Sequence, residues 1–156
     1  MLLIPVTDAE ILYRRIPCVE GLYVIQADGI VKVSSAAFSD CSFRPSVDRA
    51  ELCYHDPRKT QHEISDGVVS VVTRDVRSID TVVQNDKDGK PIRTFDVDIE
   101  PVPILRHPTL PDNPAHAEIY TDPPCPNKSV FRKLAERLAQ LANKRPWEIE
   151  MGNLSR

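Results

Sequence analysis

The alternation of hydrophobic and polar positions predicts a chain built mainly from short β-strands. Asp28 and Gly29 lie between two β-branched runs, which is a strong signal for a hairpin. Residues 68–73 are apolar on both faces of a strand, and this predicts a central position in a sheet. Residues 46–54 fit either a strand or a short helix capped by Ser46, with Arg49 pointing outward. Strands are predicted at residues 11–16, 22–26, 30–33, 68–73, 81–84, 92–99 and 115–120, with one helical turn at 74–79.

One longer helix is predicted at residues 129–145. Its apolar side chains repeat at helical spacing, Ser129 is placed to cap its start, and Pro146 stops it. A last short strand is expected at 147–151. Strands do not alternate regularly with helices, which argues against a doubly wound dinucleotide-binding fold. The predicted fold class is α+β: a mixed or antiparallel sheet with a C-terminal amphipathic helix.

Composition narrows the class of protein further. The 156 residues suit a single globular domain, and the net charge of −3 argues against broad, charge-driven nucleic-acid binding. No apolar run is long enough for a transmembrane helix, and the first residues lack the basic start of a secretory signal. Four cysteines without a Cys-x-x-Cys pair indicate reduced thiols, so we expect a cytoplasmic protein. Eight of the 14 prolines fall in residues 101–126, which predicts an ordered, extended Pro-rich loop.

Several common kinds of site are absent from the sequence. The five glycines form no phosphate-binding loop, and neither GxSxG nor HExxH occurs. His116-Ala117-Glu118 followed by Pro124-Cys125 resembles part of a zinc deaminase signature, but Lys128 stands where the last cysteine ligand belongs. The four histidines have no metal-ligand spacing. We therefore expect no metal and no cofactor.

A more diffuse set of polar residues suggests catalysis. An early arginine suits a phosphate or carboxylate, paired hydroxyls suit a sugar, and a late carboxylate suits a base. This layout resembles that of ADP-ribosyltransferase-like toxin domains. The alternative is structural: the serines cap a turn, and the arginine and glutamate form an ion pair on the sheet surface. The candidate catalytic residues are Arg14, Ser34, Ser35, His116 and Glu118.

Six segments together resemble a family of small, single-domain prokaryotic proteins of uncharacterised activity. The resemblance covers about two thirds of the chain and transfers no catalytic role. It implies that the segments meet in space, and their polar side chains, Asp48 and Arg49 among them, exceed what a core requires. The segments are LYRRIP (12–17), DG…SSAAF (28–38), SVDRAEL (46–52), GVVS (67–70), VRSI (76–79) and DNPAHAEI (112–119). An insertion near residues 83–106 and the C-terminal helix depart from that pattern.

Three functions remain open from the sequence. The first is a non-catalytic module in a bacterial conflict or defence setting, which binds a protein partner through Ile92, Phe95, Ile104 and Leu105. The second is a small nucleotide- or nucleic-acid-processing enzyme, either ADP-ribosyltransferase-like or nuclease-like. The third is direct nucleic-acid binding through exposed basic residues, namely Arg44, Arg49, Arg58 and Lys59 or the polar face of the last helix. The oligomeric state is not specified by the sequence.

Overall fold

The computed structural model describes residues 3–152, and in this range the chain forms nine strands and two α-helices. The strands are β1 (Ile11–Ile16), β2 (Tyr23–Ile25), β3 (Val31–Val33), β4 (Ser46–Arg49), β5 (Gly67–Val72), β6 (Val83–Asn85), β7 (Pro91–Thr94), β8 (Asp96–Pro101) and β9 (His116–Asp122). The helices are α1 (Thr73–Arg77) and α2 (Lys128–Asn143), and single 3-10 turns lie at Ser35–Phe38, Ala50–Cys53 and Pro57–Thr60. No helix in these residues is long and apolar enough to cross a bilayer.

Five of the strands form one antiparallel sheet in the order β5-β1-β4-β9-β8. The hairpins β2-β3 and β6-β7 form two separate ribbons. The α+β prediction, with an antiparallel sheet and a C-terminal helix, is therefore confirmed.

The main core lies between one face of the sheet and α2. Leu12, Val47 and Ile119 point to this face and pack in one cluster with Leu134 and Leu138 of the helix. The opposite face carries a smaller cluster around Tyr13, Val68 and Ala115, which the turns after β4 cover. Because side chains alternate along a strand, Ser46 and Asp48 of β4 share this second face with His116 and Glu118 of β9.

The strand predicted at 92–99 is divided into β7 and β8, which belong to different sheets, and other predicted elements differ from the structure at their ends. The long helix begins at Lys128 instead of Ser129, because the Asn127 side chain accepts a hydrogen bond from the Val130 N–H and is the actual cap. The expected last strand is reduced to a single bridge between Ile149 and Val68.

The position of β5 also differs from the prediction. It lies at an edge of the sheet, beside β1, instead of in the middle. The outer edge of β5 is nevertheless covered, because the segment that contains Trp147 and Ile149 folds along it. The two faces are buried by the two core clusters, since Val69 and Val71 pack in the main cluster with α2 and Val68 packs in the smaller one, while an irregular segment takes the place of a second neighbouring strand at the edge.

Residues 46–54 combine both alternatives that the sequence left open. They begin as strand β4 and continue as a 3-10 turn. The prediction that Arg49 points outward is wrong: its side chain is buried and forms an ion pair with Glu10.

Candidate functional site

A cleft opens where two neighbouring strands of the sheet separate. β1 pairs with β4 only at Leu12–Arg49 and Tyr13–Asp48, whereas β1 stays paired with β5 along its whole length. Beyond Tyr13 the two strands diverge, and the space beside them forms a cleft of about 840 Å³. This volume is in the usual range for sites that hold small molecules.

Four of the six segments singled out in the sequence line this cleft. Each contributes residues from a different part of the fold, so their expected meeting in space holds for these four. The Pro-rich loop supplies an apolar wall that includes Ile104 and Leu110. The segment residues are Tyr13, Arg14, Arg15 and Pro17 from the first, Ala36 and Ala37 from the second, Ser46, Val47 and Asp48 from the third, and Asn113 and His116 from the last.

Arg14 occupies the gap between the diverging strands. Its Nη1 donates to the Ser46 carbonyl at 2.8 Å, taking the place of a strand-to-strand backbone bond. Nε donates to the Ala37 carbonyl at 3.0 Å and Nη2 to the Ser39 carbonyl at 3.3 Å. A guanidinium has five N–H donors, so these three contacts leave two for other acceptors.

The charge of Arg14 has no carboxylate in contact. Among residues 3–152, no carboxylate oxygen lies within 4.0 Å of its guanidinium nitrogens. Burial lowers the pKa of Arg14 to about 10, although the charge of Asp40 acts at longer range in the opposite direction. Arg14 is therefore a largely buried cation whose contacts within residues 3–152 are three carbonyl dipoles and the face of the Phe38 ring, 5.7 Å from its Cζ.

Ser46 and His116 form a hydrogen-bonded pair that also lines the cleft. They lie on the same face of adjacent strands, since Ser46 is opposite Glu118 and His116 is opposite Asp48. His116 Nδ1 is 2.7 Å from the Val102 carbonyl oxygen, and His116 Nε2 is 3.1 Å from Ser46 Oγ. A carbonyl only accepts, so Nδ1 carries the proton and Nε2 is left as an acceptor for the Ser46 hydroxyl.

Asp48 supplies a buried carboxylate to the same cleft. Its two oxygens accept hydrogen bonds from Thr60 Oγ1 and Asn113 Nδ2, each at 2.8 Å. Neither partner is a cation. Burial, and then the nearby charge of Asp48, raise the pKa of the Cys53 thiol to about 11, so this cysteine stays protonated near neutral pH.

The candidate catalytic residues from the sequence separate into two groups. Arg14 and His116 both line the cleft, whereas Ser34, Ser35 and Glu118 do not. Ser34 Oγ donates to the Gly21 carbonyl at 2.6 Å instead of capping the turn that Ser35 begins.

The structural alternative for two of these residues is also wrong. Glu118 is paired with Arg44, whose Nε is 2.7 Å from Glu118 Oε1 and whose Nη2 contacts Glu100. Arg14 and Glu118 therefore form no ion pair, because Arg44 is the nearer cation on the face where Glu118 lies.

The predicted partner-binding residues are not one surface. Phe95 is completely buried, which corrects its assignment, because it packs in the main core. Ile104 lines the cleft, while Ile92 and Leu105 are exposed by 62% and 38%.

The free edge of β8 is also unsuited to pairing with an added strand. In its register with β9, the N–H of Ile99 points outward, and the Asp98 carboxylate already binds it at 2.7 Å. Pro101 has no N–H to offer. Such features protect edge strands against pairing with other chains.

The arginines considered for nucleic-acid binding in the first half of the chain are paired with carboxylates of the chain itself. Arg49 is buried, which corrects its assignment to an exposed surface. Arg44 bridges two glutamates, and Arg58 binds Asp56 on its own turn. Within residues 3–152, no group of three or more His, Cys, Asp or Glu side chains is placed to hold a metal ion.

The sequence indicated some of this site and missed the rest. Asp48 stood out as a polar residue beyond the needs of a core, whereas Ser46 was named only as the cap of a short helix, one of two alternatives, and Asn113 as a member of the segment 112–119. The signal for Ser46 was its alternation with Val47 and Asp48, which places both polar side chains on one face of a strand.

No protein-family model matches the chain, and neither a curated protein nor a solved structure is significantly similar to it. The function therefore has to be argued from the cleft itself.

Proposed function

We propose that the cleft between β1 and β4 binds a small organic anion, with Arg14 as its counterion. The observation that carries this proposal is a largely buried guanidinium that contacts no carboxylate of residues 3–152 and has two N–H donors to spare. Buried charges in proteins are normally paired, because an unpaired one loses its hydration without compensation. A phosphate or carboxylate group of a ligand supplies the missing charge, and it matches the planar fork of an arginine.

The rest of the lining favours a ligand with both apolar and polar parts. Ile104 and Leu110 offer an apolar wall. Asp48 accepts from neutral partners only and has lone pairs left for a ligand hydroxyl or amine. A nucleotide, which carries phosphate, sugar hydroxyls and a flat base, has this chemistry and a suitable size. This ligand class agrees with the nucleotide-directed alternative that the sequence left open.

The partner-binding module has less support in the same geometry. Its central aromatic residue, Phe95, is inside the core, and the edge of β8 is blocked by Asp98 and Pro101. A role in bacterial defence and a cytoplasmic location stay predictions from the sequence.

The test is a titration of the chain with inorganic phosphate and, separately, with adenosine 5′-monophosphate. The readout is the amide and arginine Nε–H resonances of the ¹⁵N-labelled chain at constant ionic strength. We expect saturable shifts at Arg14 and Ser46, and a higher unfolding temperature than in chloride at the same ionic strength.

The matched variants are Arg14→Gln and Arg132→Gln. Arg132 is exposed on α2 and away from the cleft, so its replacement removes the same charge and is expected to leave binding unchanged. Arg14→Gln is expected to abolish the saturable shifts. Arg14→Met also removes the charge, keeps an apolar stem, and serves if Arg14→Gln does not fold. Equal anion affinity in wild type and the Arg14 variants, or no saturable shift in wild type, would overturn the proposal.

A further inference from the structure

The hydrogen bonds at Ser46 and His116 orient the two side chains for proton transfer. Val102 holds the His116 ring through Nδ1, so the basic nitrogen Nε2 is aimed at the Ser46 hydroxyl. A serine that donates to an imidazole, itself oriented by a third group, is the arrangement that activates a nucleophile. Both side chains line the cleft, where a bound molecule is able to reach them.

We propose that Ser46 is a nucleophile and His116 its general base in the hydrolysis of a small carboxylic ester that also carries an anionic group. The inference rests on the proposed function to the extent that the same cleft holds the substrate and Arg14 binds its anionic group. Ester cleavage needs only water as a second reactant.

The reaction balances without any group beyond the substrate, water and these two side chains. Ser46 Oγ bonds to the ester carbonyl carbon while its proton passes to His116 Nε2. The carbon–alkoxide bond then breaks, and Nε2 returns the proton to the leaving alcohol. Water attacks the acyl-serine in the same way, which releases the carboxylic acid and restores Ser46.

The surroundings of the pair suit the charges that develop. Asp48 lies directly opposite His116 in the β4-β9 register, and its carboxylate favours the imidazolium that forms during proton transfer. In other serine–histidine pairs a carboxylate contacts the histidine directly. Here the Val102 carbonyl occupies Nδ1, so the Asp48 carboxylate acts on the ring from a longer distance. The backbone N–H of Ser46 points to the same side as its carbonyl, toward β1 and the cleft, and we assign it as the oxyanion donor.

The test reaction is acetylation of the chain by 4-nitrophenyl acetate. Its rate is measured from the release of 4-nitrophenolate, and the acetylated residue is located by peptide mass mapping. We expect one acetyl group on Ser46 in wild type, formed at least tenfold faster than in His116→Gln, and absent from position 46 in Ser46→Ala. Ser42→Ala is the matched control, since Ser42 is exposed and outside the cleft, and its acetylation pattern at Ser46 should equal wild type.

A second variant keeps the test decisive if acetylation is slow. Ser46→Cys places a thiol against His116, and we expect iodoacetamide to alkylate this introduced thiol at least tenfold faster than the exposed Cys41 of the same chain. Alkylation of the introduced thiol no faster than that of Cys41, or acetylation of Ser46 that is unchanged in His116→Gln, would show that the hydrogen bond is only structural.

The two proposals fail in different ways. If phosphate binds but Ser46 is unreactive, the nucleophile is overturned and the anion cleft stands. If Ser46 reacts but neither phosphate nor the nucleotide binds, the anionic substrate is overturned, and a neutral ester takes its place. Phosphate that competes with 4-nitrophenyl acetate and slows acetylation supports both proposals.

Discussion

Two arginines of this chain, Arg49 and Arg14, are compensated in opposite ways. Arg49 forms a bidentate ion pair with Glu10, at 2.9 and 3.0 Å, and both side chains are almost completely buried. Arg14 has three backbone carbonyls instead. A full counterion makes Arg49 a structural anchor between β4 and the segment before β1, whereas the missing counterion is what singles out Arg14 as a binding residue.

Replacing Glu10 by glutamine should therefore be costly. The change leaves Arg49 buried without a counterion, and we expect the free energy of unfolding to fall by about 3–5 kcal/mol. Urea unfolding of wild type and Glu10→Gln measures this difference. Glu136→Gln makes the same chemical change at an exposed position of α2 and should alter stability by less than about 0.5 kcal/mol. A similar small effect for both variants would contradict the anchoring role.

Among the elements, the outer edge of β5 depends on one irregular segment. Trp147 and Met151 pack so closely over Gly67 that a Cβ there would lie 2.6 Å from each of them. The Trp147 ring is not free to move aside, because its Nε1 donates to the Val31 carbonyl at 2.9 Å. The segment therefore closes the edge of the sheet only because residue 67 has no side chain.

Gly67→Ala should displace that segment. Overpacking of this kind costs about 1–3 kcal/mol. Since Trp147 is the only tryptophan, the loss of its packing should also appear as a red shift of the intrinsic fluorescence. Gly152→Ala is the matched control, because the nearest atom to its added Cβ is 3.6 Å away, an ordinary contact. Fluorescence and stability equal to wild type in Gly67→Ala would refute the close packing.

The individual strands and turns were largely predictable from the sequence, but which elements pack beside one another in space was not. Alternation and turn residues gave the β2-β3 hairpin and most of the strands, because these signals act between residues close in the chain. The edge of β5 is covered by the segment that contains Ile149, about eighty residues later, and the apolar sequence of a strand does not show which segment covers it. The burial of Phe95 was missed for the same reason.

At the scale of the whole molecule, the cleft depends on how far two strands stay paired. Arg14 and His116 were both candidates, but Ser46 and Asn113 become part of the site only because β4 pairs with β1 at Asp48 and Arg49 but not at Ser46, and because the Pro-rich loop returns beside it. The length of a strand pairing is a property of the assembled sheet. Residue types alone therefore indicated Arg14, Asp48 and His116 but could not predict how the cleft brings them together with Ser46 and Asn113.

The acid stability of the folded chain follows from two carboxylates in different parts of the molecule. Burial raises the pKa of Glu10, but hydrogen bonds from Arg49 and the Thr7 N–H outweigh it and leave the pKa below its ordinary value. For Asp66, burial is likewise outweighed by the N–H groups of Glu63 and His62, so this pKa is also lowered. A carboxylate with a lowered folded pKa stabilises the fold above its unfolded pKa and loses that contribution as the pH falls through the folded value.

We therefore expect the free energy of unfolding to decrease steadily below about pH 5, where carboxylates of the unfolded chain begin to bind protons. Asp66→Asn should lower it by about 1–3 kcal/mol near neutral pH, because a buried, hydrogen-bonded charge is removed. The difference from wild type should shrink as the pH falls, since protonation removes the same charge from Asp66 in the wild-type chain. Asp88→Asn, in an exposed turn, should follow the wild-type curve at every pH. Urea unfolding between pH 2 and pH 7 measures all three chains, and a gap between Asp66→Asn and wild type that stays constant down to pH 2 would mean that Asp66 stabilises the loop by shape alone.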